Sequence, residues 1–364
     1  MVIQHIIYKV NYACEVDMKQ VICLIFFIVF IIIFVGCSTG DKKSEYSYLE
    51  VDKRNLRKSL VIEDVYKQIE KQYEKQDVGT KIDGNESSSK DKDFIWQRNK
   101  VCVNNSNYVI KDELLNEIYN IINSYGEDIS FCVINLKDNM VMGYNPEDEY
   151  DTASTIKAPY VLYCLKEIEK GNGSLEEEMV YEEKHFIYGS GLIQNEPIGS
   201  VYTIEQLIYN TINYSDNIAY NMLNYRFGEE GYNSMLEELG CDEYFLDGHF
   251  IWGKANAKSA ALIWREIYRY GEESDLGKMY ISILKDALYN YIQPGVPQYK
   301  TAHKSGWIDE QCHDTGIVYA KNPYVVAIMV NNGGNWSSSY EIELIATQIN
   351  NIMDDYFNYY NNNS

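Results

Sequence analysis

Positive charge is scarce in this chain. Its 364 residues carry 32 lysines and arginines against 54 aspartates and glutamates, a formal net charge of −22. Nothing offers phosphates a basic stripe, so nucleic acid is not expected as a partner. The same imbalance disfavours adsorption to anionic headgroups. Paired cysteine spacing is missing too. Of eight cysteines, Cys14, Cys23 and Cys37 lie within the first 37 residues, in or beside an apolar run. The other five, Cys102, Cys132, Cys164, Cys241 and Cys312, are odd in number and contain no CxxC. Neither a zinc site nor a disulfide framework is therefore expected, and these thiols read as small buried hydrophobes. No internal repeat is visible. No motif asks for a metal or cofactor, and no signal points to oligomerisation, so a monomer is expected.

The apolar fraction of 46% is ample for a packed core. The 34 tyrosines read as compositional drift from an AT-rich genome rather than a carbohydrate-binding surface, since no aromatic cluster is spaced for one. The N-terminus says more. Lys19 precedes an unbroken apolar run from Val21 to Val35, and Gly36-Cys37-Ser38 follows. This is the pattern of an export signal over residues 1–37. Phe34-Val35-Gly36-Cys37 resembles a bacterial lipobox, with Cys37 as the lipidated first mature residue and Phe where Leu is usual. An uncleaved transmembrane anchor is the alternative. Both readings place the rest of the chain outside the cytoplasm, at a bacterial cell membrane. Met18 is a more ordinary signal start than Met1.

Residues 38–107 are polar and mixed in charge, with a flexible Asp83-Gly84-Asn85-Glu86-Ser87-Ser88-Ser89. They read as a tether, within which Ile62, Val65, Ile69 and Tyr73 fall at helical spacing. A globular domain is expected over residues 108–364. Val109 to Asn123 has a helical apolar stripe. Ile129–Leu136 and Met140–Tyr144 read as strands joined by an Asp138-Asn139 turn. From Thr155 to Tyr289 the signals are mostly helical. Strand signals return at Lys300–Lys304, Gly316–Ala320 and Tyr324–Val330, and a helix runs from Ser338 to Phe357. The expected architecture is α/β (α+β): an antiparallel five-stranded sheet flanked by helices, with an all-helical subdomain inserted between its halves.

Three short strings carry the chemistry. Ser-x-x-Lys occurs four times, at Ser87, Ser89, Ser154 and Ser282. Only Ser154 sits where a strand-turn region hands over to a helix, with Asp151, Thr152 and Ser154 as capping residues. Pro159 suits the start of that helix. Ser154 and Lys157 would share a helix face, so the lysine can serve as base to a serine nucleophile. A neutral lysine is unusual, because a pKa near 10.4 must fall at a cost of roughly 4 kcal/mol. Burial and a second cation supply that shift. The helix start also presents a backbone N–H to an oxyanion. Ser215-Asp216-Asn217 follows between two helical segments. The Ser215 hydroxyl can shuttle a proton, Asn217 can orient Lys157 and bind an amide carbonyl, and Asp216 reads as a turn-holding cap. Lys304-Ser305-Gly306 ends a predicted strand. Lys304 and Ser305 suit a substrate carboxylate, Gly306 lets a substrate approach the strand edge, and the Trp307 backbone N–H is a second oxyanion donor. Each string alone also fits a bland reading as cap, turn or edge strand.

Together, in this order, the three strings resemble the class A β-lactamase and penicillin-binding serine hydrolase superfamily. The resemblance covers residues 108–358 and includes His313-Asp314-Thr315-Gly316-Ile317-Val318 as the strand after Lys304-Ser305-Gly306. It implies a β-lactamase/transpeptidase-like fold, an acyl-enzyme at Ser154 and a substrate that is a β-lactam or a D-alanyl peptide of the cell wall. One departure stands out. The family's β-lactamases carry a Glu-x-x-x-Asn whose carboxylate activates the deacylating water. The corresponding stretch here, Cys241 to Lys258, has none, and Gly248 to Trp252 falls where the glutamate belongs. Glu243 and Asp247 are the carboxylates left to stand in. Three alternatives follow: an efficient resistance enzyme, a penicillin- or muropeptide-binding lipoprotein that stays acylated, and a lipoprotein that keeps the fold without catalysis.

Overall fold

The computed structural model describes residues 95–125, 128–247, 252–331 and 338–363. The chain divides into units 1–88 and 89–364, and everything described lies in the second. The export signal, Cys37 and the helical spacing at Ile62–Tyr73 fall outside the described residues.

Along the first half run β1 (Val101–Val103), α1 (Asp112–Tyr125), β2 (Asp128–Asn135), β3 (Val141–Tyr144) and β4 (Tyr150–Asp151). A 3-10 turn, Ala153–Ile156, then leads into α2 (Lys157–Glu169). The hairpin strands β5 (Glu178–Val180) and β6 (Val201–Thr203) follow. Next come α3 (Ile204–Asn213), α4 (Asn217–Phe227), α5 (Glu230–Glu238), β7 (Lys254–Ala255), α6 (Ala257–Glu273) and α7 (Asp275–Lys285). The chain closes with β8 (Thr301–Ile308), β9 (Gln311–Val318), β10 (Tyr324–Asn331) and α8 (Ser338–Asn363).

The main sheet has six antiparallel strands, in the order β1-β3-β2-β10-β9-β8, not five. The extra strand is Val101–Val103, which pairs with β3 from within the stretch expected to be tether. Three residues between polar neighbours give too short an alternation to register as a strand. Helices cover both faces. The side chains of β10 divide by parity: Val325, Ala327 and Met329 join the core under the helical block, while Val326, Ile328 and Val330 join the core under α1 and α8. Burial on both faces explains why this strand reads as an unbroken apolar run. β8 lies at the sheet edge, against the turn that holds Ser154.

Candidate active site

Ser154 sits in the 3-10 turn before α2, but the expected capping is absent. Thr152 has helical backbone angles and makes no side-chain cap. Its hydroxyl instead accepts from Gly253 N at 3.1 Å, and Thr152 N donates to Gly253 O at 2.9 Å. Asp151 pairs with Lys254 next to this clamp. On the other side, His313 Nε2 donates to Asp151 O at 3.0 Å while its Nδ1 accepts from Val330 N at 3.2 Å. A backbone N–H can only donate, so the ring is neutral with its proton on Nε2. Burial lowers its pKa to about 4. Tertiary contacts rather than a local cap set the turn. Ala153 is left at φ +44°, a left-handed conformation costly for a residue with a Cβ.

Lys157 is wholly buried. Its Nζ lies 3.1 Å from Ser154 Oγ, 2.6 Å from Ser215 O, 3.2 Å from Ser215 Oγ and 2.6 Å from Asn217 Oδ1. Burial holds its pKa well below the usual lysine value. Lys304 lowers it further and Asp216 opposes. A neutral amine has two N–H donors and one lone pair. Ser215 O and Asn217 Oδ1 are pure acceptors and take both N–H groups. The lone pair is left for a hydroxyl, that of Ser154 or Ser215. Asn217 Nδ2 donates to Tyr188 O at 3.2 Å, which fixes the amide with its oxygen toward the lysine.

Ser215 stands between α3 and α4 at φ +52°. Asp216 does hold the turn: Oδ1 accepts from Ile218 N and Ala219 N at 2.9 and 3.0 Å, capping α4. Its Oδ2 accepts from Leu192 N and Ile193 N at 2.6 and 2.9 Å. Sequence reasoning missed the loop that supplies those donors. Ser190 Oγ donates to Ser215 O at 2.6 Å. Its neighbours must be glycine: a Cβ on Gly189 would stand 2.4 Å from Asn217 Nδ2, and one on Gly191 2.2 Å from Asp216 Cγ. The Gly189-Ser190-Gly191 run was the available signal.

Lys304 lies in the middle of β8 rather than at a strand end. It is buried and donates to Ser305 O at 2.8 Å. Burial lowers its pKa to about 8, against the opposing pull of Asp314. A Cβ at Gly306 would stand 2.8 Å from both Ser154 N and Thr155 N, so the strand lies directly against the amides of the turn. Trp307 follows, paired in register with Cys312 and 53% exposed. A separate cleft of about 510 Å³ between Tyr202, Tyr209, Met279 and Asp286 holds none of these residues.

Neither stand-in carboxylate reaches Lys157. Glu243 faces Glu149, Asp242 and Lys254, and burial with the two acids raises its pKa. Asp247 is exposed. What approaches Lys157 from this stretch is Trp252, with its ring centroid 5.2 Å from Nζ. Nothing in the sequence marked it, because its role comes only from where the backbone puts it.

The sequence profile of the beta-lactamase enzyme family matches residues 113–357. The chain belongs to that family. Beta-lactamase VEB-1 of Pseudomonas aeruginosa is 24% identical over 277 residues, 68% of this chain and 91% of that protein. A beta-lactamase of Proteus vulgaris is 27% identical over 145 residues, 39% of this chain and 51% of that protein. Among solved structures, a point mutant of PBP-A, in an acyl-enzyme complex with penicillin G, superposes with a TM-score of 0.61 at 20% identity, covering 67% of this chain and 97% of that one. A class A beta-lactamase from Mycobacterium abscessus gives 0.58 at 16% identity, covering 66% and 99%. At these identities the structures establish the β-lactamase/transpeptidase-like fold.

Proposed function

We propose that this member of the beta-lactamase family is an extracytoplasmic serine hydrolase that forms an acyl-enzyme at Ser154 with a β-lactam or a D-alanyl peptide. The observation that carries the proposal is the wholly buried Lys157, its pKa held well below the ordinary lysine value by that burial, with its Nζ 3.1 Å from Ser154 Oγ. Lys157 takes the proton as Ser154 Oγ attacks the amide carbonyl. Ser215, 3.2 Å from the same nitrogen, carries a proton on to the leaving nitrogen. The backbone N–H groups of Ser154 and Trp307 receive the oxyanion. Lys304 and Ser305 hold the substrate carboxylate, Asn217 holds the lysine and a substrate amide, and Gly306, rather than making room for the substrate, lets the strand pack against the turn that carries Ser154.

The test is labelling with a fluorescent penicillin. Wild type should become covalently labelled and Ser154→Ala should not; equal labelling of both would remove Ser154 from the reaction. Lys157→Ala should acylate slower by about two to four orders of magnitude with its fold intact, and an unchanged rate would mean another base.

A second reading, a penicillin or muropeptide binder that stays acylated, is favoured by one observation: among the described residues no carboxylate pairs with Lys157. The same point counts against an efficient resistance enzyme. The extracytoplasmic placement rests on the N-terminal export pattern. Mass spectrometry of the mature protein tests it, with a diacylated Cys37 expected and an intact residue 1–37 segment pointing to the uncleaved anchor.

A further inference from the structure

We propose that Trp252 is the wall that keeps water from the ester on Ser154, so that the acyl-enzyme persists instead of being hydrolysed. This rests on acylation at Ser154 as proposed above and deepens the second reading given there, the binder that stays acylated. Hydrolysis needs a water oxygen to bond to the acyl carbon, a base to take the water's proton, and Ser154 Oγ to leave with a proton. Of the ionisable groups the site holds, Lys304 is taken up by the substrate carboxylate, which leaves Asp216 and Lys157 to be considered as the base. Asp216 is not free for it, because its two oxygens already accept from four backbone N–H groups. Lys157 has both N–H groups committed to Ser215 O and Asn217 Oδ1. A water could reach its nitrogen only by displacing a hydroxyl or from the side that the indole covers. An indole face accepts no proton from water and binds water poorly.

The ring is held there by construction. Its centroid is 5.2 Å from Lys157 Nζ and 5.6 Å from the Tyr220 ring centroid behind it. The next residue, Gly253, is bonded in both directions to Thr152, two residues before Ser154. A Cβ on Gly253 would stand 2.4 Å from Phe245 O, so the backbone there is packed too closely for any other residue. The turn that presents the nucleophile and the residue that shields it are one clamped unit. Trp252 thus bears on the fate of the acyl group, which is followed separately from its formation.

The experiment labels the full-length protein with a fluorescent penicillin, chases with unlabelled penicillin, and follows acylation and release separately. It compares wild type, Trp252→Phe and Trp252→Ala, each with and without hydroxylamine as a small nucleophile. Release is read on acyl-enzyme already formed, so a change in acylation from exposing Lys157 does not enter it, and Trp252→Ala should release at least about tenfold faster than wild type, with release accelerated further by hydroxylamine. Wild type and Trp252→Phe should release slowly and respond little to hydroxylamine. Release from Trp252→Ala at the wild-type rate overturns the proposal, as does Trp252→Phe releasing as fast as Trp252→Ala. Should Trp252→Ala not fold, the wild-type arm decides: rapid release, or a large acceleration by hydroxylamine, overturns the wall. Wild type that never acylates overturns the acyl-enzyme reading and the wall together, which separates that failure from a failure of Trp252 alone.

Discussion

At the scale of single residues, two buried lysines of different pKa govern the site. Acylation needs Lys157 neutral, so its rate should rise with pH through a midpoint well below the ordinary lysine value. It also needs Lys304 charged to hold a carboxylate, so the rate should fall again near pH 8. Lys304→Met removes a cation from beside Lys157. The Lys157 pKa then rises, the ascending limb should move to higher pH, and the descending limb near pH 8 should vanish. Acylation rates measured across pH check this, and a profile unchanged by the substitution would separate the two lysines. These residues were legible in the sequence because each motif pairs a side chain with a local geometry. Trp252 and Ser190 were not. Their partners, Lys157 and Ser215, are far from them in the chain, and no spacing rule reports a contact made across the fold.

At the scale of elements, the site is built from junctions. Asp216 caps α4 and at the same time receives the loop of Leu192 and Ile193. Asp216→Ala would strand four backbone donors, some of them buried. It should destabilise the protein by about 3 kcal/mol or more, read as a lower urea midpoint, with Lys157 loosened through Ser215 and Asn217. A change under about 0.5 kcal/mol would mean that the loop finds other acceptors. The helices α3 and α6 lie within the Thr155–Tyr289 stretch that reads as helical, because their apolar stripes are regular. The strands β8 and β9 run longer than expected. Their additional halves hold Ser305, Gly306, Cys312, His313 and Asp314, residues suited to the site and its supports rather than to β-propensity. The helix start at Ser154 is not capped as its sequence suggests, since the Thr152 hydroxyl is engaged by Gly253. A side chain with two available partners gives the sequence no way to show which one it takes.

At the scale of the whole molecule, the sheet reaches further toward the N-terminus than residue 108. Trp96 packs so close to Gly143 that a Cβ there would lie 3.0 Å from the indole, and Val101–Val103 closes the edge at β3. A fragment beginning at Ile95 should melt with the intact chain. One beginning at Tyr108 leaves β3 as an open edge, and should melt lower and associate more readily by light scattering. Equal melting of the two would make β1 an ornament of the edge. The overall architecture was legible because β2 and β10 are apolar on both faces and the helical block lies between the sheet's halves. The number of strands was not, since an edge strand of three residues carries almost no periodicity.

The burial of Lys304 ties the survival of the fold to the acidity of the solution. In the unfolded chain this amine titrates near 10.4; in the folded chain it titrates at about 8. Between those values the unfolded state holds more protons, so stability increases with pH across the window, by on the order of 3 kcal/mol from this group. Lys157 contributes with the same sign. Four buried thiols act in the opposite sense, since Cys132, Cys164, Cys241 and Cys312 keep in the fold the protons that the unfolded chain loses, so the lysine's share is read as a difference: the denaturant midpoint of wild type minus that of Lys304→Met should grow from about pH 8 to about pH 10. On the alkaline side of neutrality one deprotonation thus has two opposed effects: it relieves the fold of a buried charge and disarms the carboxylate clamp.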